Sequence, residues 1–251
     1  MTPTRPTTRL DDLLARNLGV SKTAVGRLCA EGRVRELDGA VILDRKTPLG
    51  ATAASGAGPS VPRVLVDDAP VMLFDSALLL QHKPVGVVTA LRDNHYPTAY
   101  ALLQTAPLFP ELRPAGRLDL ESSGLLLWTT DGPLIQRLTH TKRRVPRTYQ
   151  AALAQAFLPP PAGLTLDDGH RPEILDLGEL PRGDAHPGLL IPPETKVLAT
   201  VTIVGGAYHE VRRIFAALGS HVVGLCRVRF GDYALPVDLG PGGWRLVSPP
   251  A

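Results

Sequence analysis

Apolar residues recur along this chain with two different periods, and each period marks its own elements. Leu10, Leu13, Leu14 and Leu18 fall at helical spacing, and Gly19 is placed to stop that helix. Ser21 is a capping residue for a second helix that carries Val25, Leu28 and Cys29 on one face and ends at Gly32. The period then changes to two. Arg33-Val34-Arg35-Glu36-Leu37 alternates like a strand, Asp38-Gly39 is a hairpin-type turn, and Val41-Ile42-Leu43 returns. The pattern predicts a small helical unit followed by strands, from residue 8 to about 48.

Between Gly50 and Ser60 the sequence falls to Gly, Ala, Ser, Thr and Pro, the mark of a flexible connection. Val64-Leu65-Val66 is predicted as a last strand of the small unit. A second domain is predicted from about Val71. It mixes short apolar strands (77–80, 124–128, 197–204, 222–228) with helical stretches (133–139, 210–218), which is an α+β pattern. The Pro- and Gly-rich stretch 157–194 predicts no element, and no internal repeat is evident.

Composition narrows the class. At 251 residues, 44% of them hydrophobic, the chain can build a sizeable core as one large domain or two unequal ones. A pI near 9.0 with a formal charge of +3 permits a nucleic-acid partner without demonstrating one. Cys29 and Cys226 lie far apart within apolar patterns and have no ligand spacing, so they read as buried thiols in a reducing compartment. None of the seven histidines falls in a metal-ligand pattern. The first residues are polar and Pro-rich without a signal-peptide core, and no apolar run approaches a membrane span. The chain therefore reads as soluble and cytoplasmic.

Chemistry concentrates in Gly116-Arg117-Leu118-Asp119-Leu120-Glu121-Ser122-Ser123-Gly124-Leu125-Leu126-Leu127-Trp128-Thr129-Thr130-Asp131-Gly132. A turn, a small-residue loop and an apolar strand together put a carboxylate at the mouth of a sheet, where a scaffold can display a reactive group. An isolated Asp in such a place is ordinarily a turn or cap residue. The extended string is more specific. It resembles the catalytic signature of the pseudouridine synthases in the branch that contains RsuA and its large-subunit relatives such as RluB. Lys83-Pro84-Val85-Gly86 is similar to that family's opening Lys-Pro-x-Gly strand, and Arg147-Thr148-Tyr149 to its basic-x-Tyr motif. Tyr208-His209-Glu210-Val211-Arg212-Arg213 with the helix after it, then Leu225-Cys226-Arg227-Val228-Arg229, resemble its C-terminal motif. The unit from residue 8 to about 48 resembles the small ribosomal-protein-type RNA-binding domain that this branch carries at its N-terminus. Ser123, Glu210 and His82 stand where many relatives have Thr, Gln and Asn.

The resemblance implies an α+β fold. A catalytic domain over 71–248 has a mixed, largely antiparallel sheet and a central cleft, and a small α/β RNA-binding domain spans 8–67. It implies isomerisation of uridine to pseudouridine in ribosomal RNA or a ribosomal assembly intermediate, by a monomer, with no membrane, metal or cofactor. Asp119 takes the place of the nucleophile, because a carboxylate can act and leave again where water would be consumed. Whether it attacks the sugar, adds to the ring or only stabilises charge is left open by the sequence. Arg212 takes the place of the basic partner, since a neighbouring cation favours the ionised carboxylate. Tyr149 takes the place of the aromatic that stacks on the target base. A stacked base must be extruded before the nucleophile can reach it. Arg117 then holds the backbone or fills the vacated space, with a structural salt bridge as its rival reading.

Several other cations are RNA-contact candidates. Lys142, Arg143, Arg144 and Arg147 form a basic run ahead of Tyr149 that reads as a phosphate track into the site or as a solvated loop. Arg213 reads as a phosphate contact or surface charge, and His209 as packing or RNA contact. Lys22, Arg27, Arg33 and Arg35, with Arg16, decorate the N-terminal unit, where a solvated face is the ordinary reading and a phosphate-binding surface the sharper one. Tyr208-His209 with Phe215–Val222, and His95-Tyr96-Pro97-Thr98, resemble the small-subunit enzyme and point to a small-subunit RNA target, whereas Glu210-Val211-Arg212-Arg213, Gly231-Asp232-Tyr233 and Gly242-Gly243-Trp244 look more like large-subunit members. A non-catalytic RNA-binding or assembly factor is a further alternative. A retaining glycosidase built on Asp119 and Glu121 is disfavoured, since the two straddle a turn without sugar-binding aromatics.

Overall fold

A computed structural model of the chain describes residues 8–49 and 62–249. The connection expected at 50–60 lies outside the described residues. The chain divides into two units. The first takes residues up to Leu78 with 105–112 and the residues from Leu246 on, and the second takes 79–104 and 113–245.

In the first unit, β1 (Thr8–Arg9) leads into α1 (Leu10–Leu18) and α2 (Lys22–Ala30), followed by β2 (Val34–Arg35), β3 (Pro48–Leu49), β4 (Pro62–Val66) and β5 (Ala69–Met72). The leucine spacing does what it predicts: Leu10, Leu13 and Leu14 pack with Val25, Cys29, Val34 and Val64 in one core. Gly19 closes α1 in the left-handed region at φ 66°, and the Ser21 hydroxyl accepts from the Ala24 amide at 3.1 Å to cap α2. The strand expected at 33–37 shortens to β2, and the return at 41–43 reduces to one bridge between Arg35 and Val41. Val41 and Leu43 are exposed and only Ile42 points inward, so a longer hairpin would bury nothing. β2 pairs instead with β4, and β4 with β5, where Val71 stands opposite Val64.

The second unit contains all but the first residue of β6 (Leu78–Lys83), then β7 (Arg113–Ala115), β8 (Ser122–Thr129), α3 (Gly132–Thr139), β9 (Pro146–Leu153), β10 (Glu173–Glu179), β11 (Val197–Val204), α4 (Glu210–Ala217), β12 (Val222–Phe230), β13 (Tyr233–Ala234) and all but the last residue of β14 (Trp244–Leu246). The strands form one sheet in the order β10-β11-β9-β12-β8-β6-β14, with β7 beside β8 and β13 beside β12. Pairing is antiparallel from β10 through β12, whereas β8 and β12 are parallel, Leu225 facing Ser122 and Arg227 facing Gly124. Residue 124 has to be glycine at this seam. Its φ is +113°, and an added Cβ would lie 2.3 Å from the Arg227 carbonyl oxygen.

Behind the sheet Trp128 is fully buried, and its indole donates to the Gln81 side chain at 2.8 Å, whose amide donates on to the Ala99 carbonyl at 2.9 Å. Asp131 caps α3 by accepting from the Leu134 amide at 3.0 Å. The stretch 157–194, to which the sequence assigns no structure, contributes β10, a half-exposed edge strand bulged between Ile174 and Asp176. The resulting mixed α+β architecture matches the sequence expectation.

Candidate active site

Asp119 sits on the loop that joins β7 to β8, and that loop is fastened on both sides of it. The Leu118 amide donates to the Thr89 hydroxyl at 3.1 Å, and the same hydroxyl donates back to the Leu118 carbonyl at 2.9 Å. The Gly86 amide donates to the Leu120 carbonyl at 2.8 Å, and the Ser122 amide to the Asp119 carbonyl at 3.1 Å. Leu118 is buried as an anchor, while the Asp119 side chain keeps 40% exposure. A rigid turn thus presents a carboxylate that solvent and a substrate can reach.

Cations gather beneath it. The Lys83 ammonium is buried and donates to the Ser122 carbonyl at 2.7 Å and the Pro84 carbonyl at 2.9 Å. Burial pushes this amine down to about 8, the charge of Asp119 works against that fall, and Arg227 adds to it. Arg227, buried on β12, donates to the Leu125 carbonyl at 2.8 Å and reaches the Arg117 carbonyl at 3.4 Å. Its guanidinium lies 5.0 Å from the centre of the Phe230 ring, and that of Arg147 lies 4.9 Å from the same ring. Burial holds Arg147 below its ordinary value, partly countered by Tyr149.

Arg212 reaches the same loop from α4. It donates to the Glu121 carbonyl at 3.2 Å and the Val222 carbonyl at 3.1 Å, so it braces the starts of the two parallel strands. Its carboxylate contact is with Glu121 at 3.7 Å, while His209 approaches Asp119, its Nε2 3.8 Å from Oδ1. Tyr149 is buried on β9 opposite Arg227, which in turn touches the carbonyl two residues before Asp119. Arg212 thus meets the Asp119 loop at Glu121, and Tyr149 pairs with Arg227, which meets the approach to that loop at Arg117.

The expected RNA-contact cations divide into two groups. Lys22 pairs with Asp12, Arg35 with Asp68 at 3.5 Å, and Arg144 with Glu173, while Arg33 is bidentate on Asp67 at 2.6 and 2.7 Å. Arg213 is held by Asp167 and Asp168. Arg27, Arg117, Lys142 and Arg143 are exposed with no ion-pair partner among the described residues. Lys22, Arg27, Arg33 and Arg35 belong to the first unit.

Sequence reasoning quoted Lys83, Arg147, Arg227 and His209 inside motifs but gave none of them a place at the carboxylate. A signal existed for the first: a lysine closing the apolar strand Leu78-Leu79-Leu80-Gln81-His82-Lys83 is expensive to bury without a purpose. Among the described residues no group of three or more His, Cys, Asp or Glu side chains is arranged to hold a metal ion.

A half-exposed carboxylate on a fastened loop, carried by a mixed sheet that also holds buried cations, is an arrangement that can serve covalent or electrostatic catalysis. Comparison with known proteins gives this arrangement its family. The chain belongs to the RNA pseudouridylate synthase family, whose model matches residues 77–217. It is 32% identical over 247 residues to the ribosomal small subunit pseudouridine synthase A of Yersinia pestis, covering 96% of this chain and 94% of the relative. Identity to the protein of that name from Escherichia coli K12 is 31% over 251 residues, covering 96% of each. A crystal structure of a pseudouridylate synthase superposes with a TM-score of 0.53 at 27% identity, over 96% of both chains. The chain is thus a pseudouridine synthase. Among the described residues no helix is long and apolar enough to cross a membrane.

Proposed function

We propose that this enzyme isomerises one uridine of small-subunit ribosomal RNA to pseudouridine, with Asp119 as its nucleophile. The bond between C1′ and N1 breaks, one between C1′ and C5 forms, and the C5 proton is lost as N1 gains one, so nothing is consumed. A carboxylate suits that cycle because it can add and then leave. The observation that carries the reading is the half-exposed Asp119 on a turn pinned at Leu118, Leu120 and Ser122. Arg212 is the cation assigned to support its charge, and Tyr149 the ring assigned to the extruded base. Arg117, Lys142, Arg143, Arg144 and Arg213 serve the RNA backbone around the site.

The small-subunit target is supported by the names of the relatives from Yersinia pestis and Escherichia coli, matched over nearly the whole chain. In this reading residues 8–67 form an RNA-binding domain with Lys22, Arg27, Arg33 and Arg35 as phosphate contacts. Residues 71–248 form the catalytic domain. The enzyme works as a cytoplasmic monomer on the RNA or on an assembly intermediate.

Site-resolved pseudouridine mapping of both ribosomal RNAs tests this, with the gene deleted and then restored as wild type or as Asp119→Asn. One small-subunit site disappears on deletion and returns only with the wild type. A site lost from the large-subunit RNA moves the target, and restoration by Asp119→Asn removes the nucleophile assignment.

A further inference from the structure

The turn between β11 and α4 carries a pair of aromatic rings that the proposed reaction does not use. Tyr208 and His209 stack with ring centroids 3.9 Å apart and planes 14° from parallel. The Tyr208 residue is 77% exposed, so with one ring face covered by the imidazole the other lies open to solvent. His209 in turn stands 3.8 Å from the Asp119 carboxylate. We propose that Tyr208, backed by His209, is a stacking platform for an unpaired nucleobase of the RNA, the one next to the uridine presented to Asp119. The proposal rests on Asp119 as the reacting carboxylate.

Three further observations say that the platform is built rather than incidental. His209 sits in the left-handed region at φ 51°, a conformation that costs a non-glycine residue energy and recurs where a side chain must be held in one direction. The turn is fastened from below: the Ala207 amide donates to the Glu210 carboxylate at 2.9 Å, and the other oxygen of that buried carboxylate meets His170 at 2.8 Å. Arg213 donates to the Tyr208 carbonyl at 3.4 Å and is itself anchored by Asp167 and Asp168. Little ordering then remains to be done on binding.

The ligand class follows from the surface. An open ring face next to a carboxylate repels phosphate and attracts a flat, neutral partner, and a base offers such a face whatever its identity. Extruding the target uridine also strips a stacking neighbour from each adjoining base, and a protein ring can replace it.

The test uses the full chain and an RNA pentamer of four uridines around a central 2-aminopurine, whose fluorescence is quenched by stacking. Saturating wild type quenches the probe. Tyr208→Ala binds it about tenfold more weakly and quenches less at saturation, because a base–aromatic stack is typically worth about that factor or more. Tyr208→Phe, which keeps the ring, restores both. Wild-type quenching and affinity in Tyr208→Ala, or no quenching by the wild type, overturns the platform. Turnover on ribosomal RNA is measured separately. Turnover retained by Asp119→Asn removes the nucleophile reading, while the pentamer still decides whether Tyr208 stacks a base.

Discussion

The Lys83 ammonium donates to the Ser122 carbonyl at 2.7 Å, tying the strand that opens the catalytic unit to the first residue after the Asp119 loop. A charge is thereby held out of water close enough to feel the Asp119 carboxylate, and its titration becomes a reporter on the site.

The sign of that titration is set by burial. The amine falls from 10.5 to about 8, so between those pH values the unfolded chain holds a proton that the native protein has released. Stability contributed by this group therefore rises with pH across the window, and below pH 8 the burial cost is carried in full. Urea unfolding at pH 7 and pH 10 is expected to show this rise in the wild type and to lose it in Lys83→Met. Turnover is expected to fall above pH 8 as the ammonium is lost, a limb absent from the variant's profile.

The parallel seam makes a second prediction. Gly124→Ala places a methyl 2.3 Å from the Arg227 carbonyl oxygen at a φ of +113°, and neither backbone can yield without breaking the pairing. A loss of about 3 kcal/mol or more is expected, read as a lower thermal midpoint together with lost turnover.

Trp128→Phe leaves the buried Gln81 carbonyl oxygen without its donor. The unpaired acceptor costs about 1–3 kcal/mol in addition to the smaller ring. Because the two side chains share one hydrogen bond, the double variant Trp128→Phe/Gln81→Leu is expected to cost less than the sum of its parts in a denaturant cycle.

Salt dependence separates the two groups of cations. Removing Lys142 and Arg143, exposed and without ion-pair partners among the described residues, is expected to weaken RNA binding. It should flatten the slope of log K against log salt by roughly 0.7 for each single-strand phosphate that is no longer neutralised. Removing Arg33 and Arg35 flattens it less, because Asp67, Glu31 and Asp68 already hold part of their charge.

The parts of this protein that were legible in the sequence are those where one residue decides a local outcome. Gly19, Ser21 and Asp131 sit at the ends of helices and fix them, and the leucine spacing of α1 chooses its buried face. Asp119 was legible through the string around it. What was hidden depends on partners distant in the chain. The edge strand β10 exists because β11 offers it hydrogen bonds, although its own flanks of Pro and Gly argue against any element. The stunted return at 41–43 reflects a missing surface for Val41 and Leu43 to cover. The contacts of Arg212 with Glu121, and of His209 with Asp119, join positions separated in the chain by β8, α3, β9, β10 and β11, and no spacing rule reports them.

The parallel register of β8 and β12 carries a consequence for how the enzyme comes into being. Asp119 is synthesised near the middle of the chain, while the brace from Arg212 to Glu121 closes a span of 91 residues. During translation the Asp119 loop therefore waits for α4 to emerge, and a nascent chain stopped before α4 has the carboxylate without its brace from Arg212. Closing so long a loop is slow relative to forming the local helices and hairpins. In refolding, activity is expected to return with the last kinetic phase, after helical signal has recovered. The brace on the Asp119 loop is thus acquired late, only after α4 has followed β8 through 91 residues of chain.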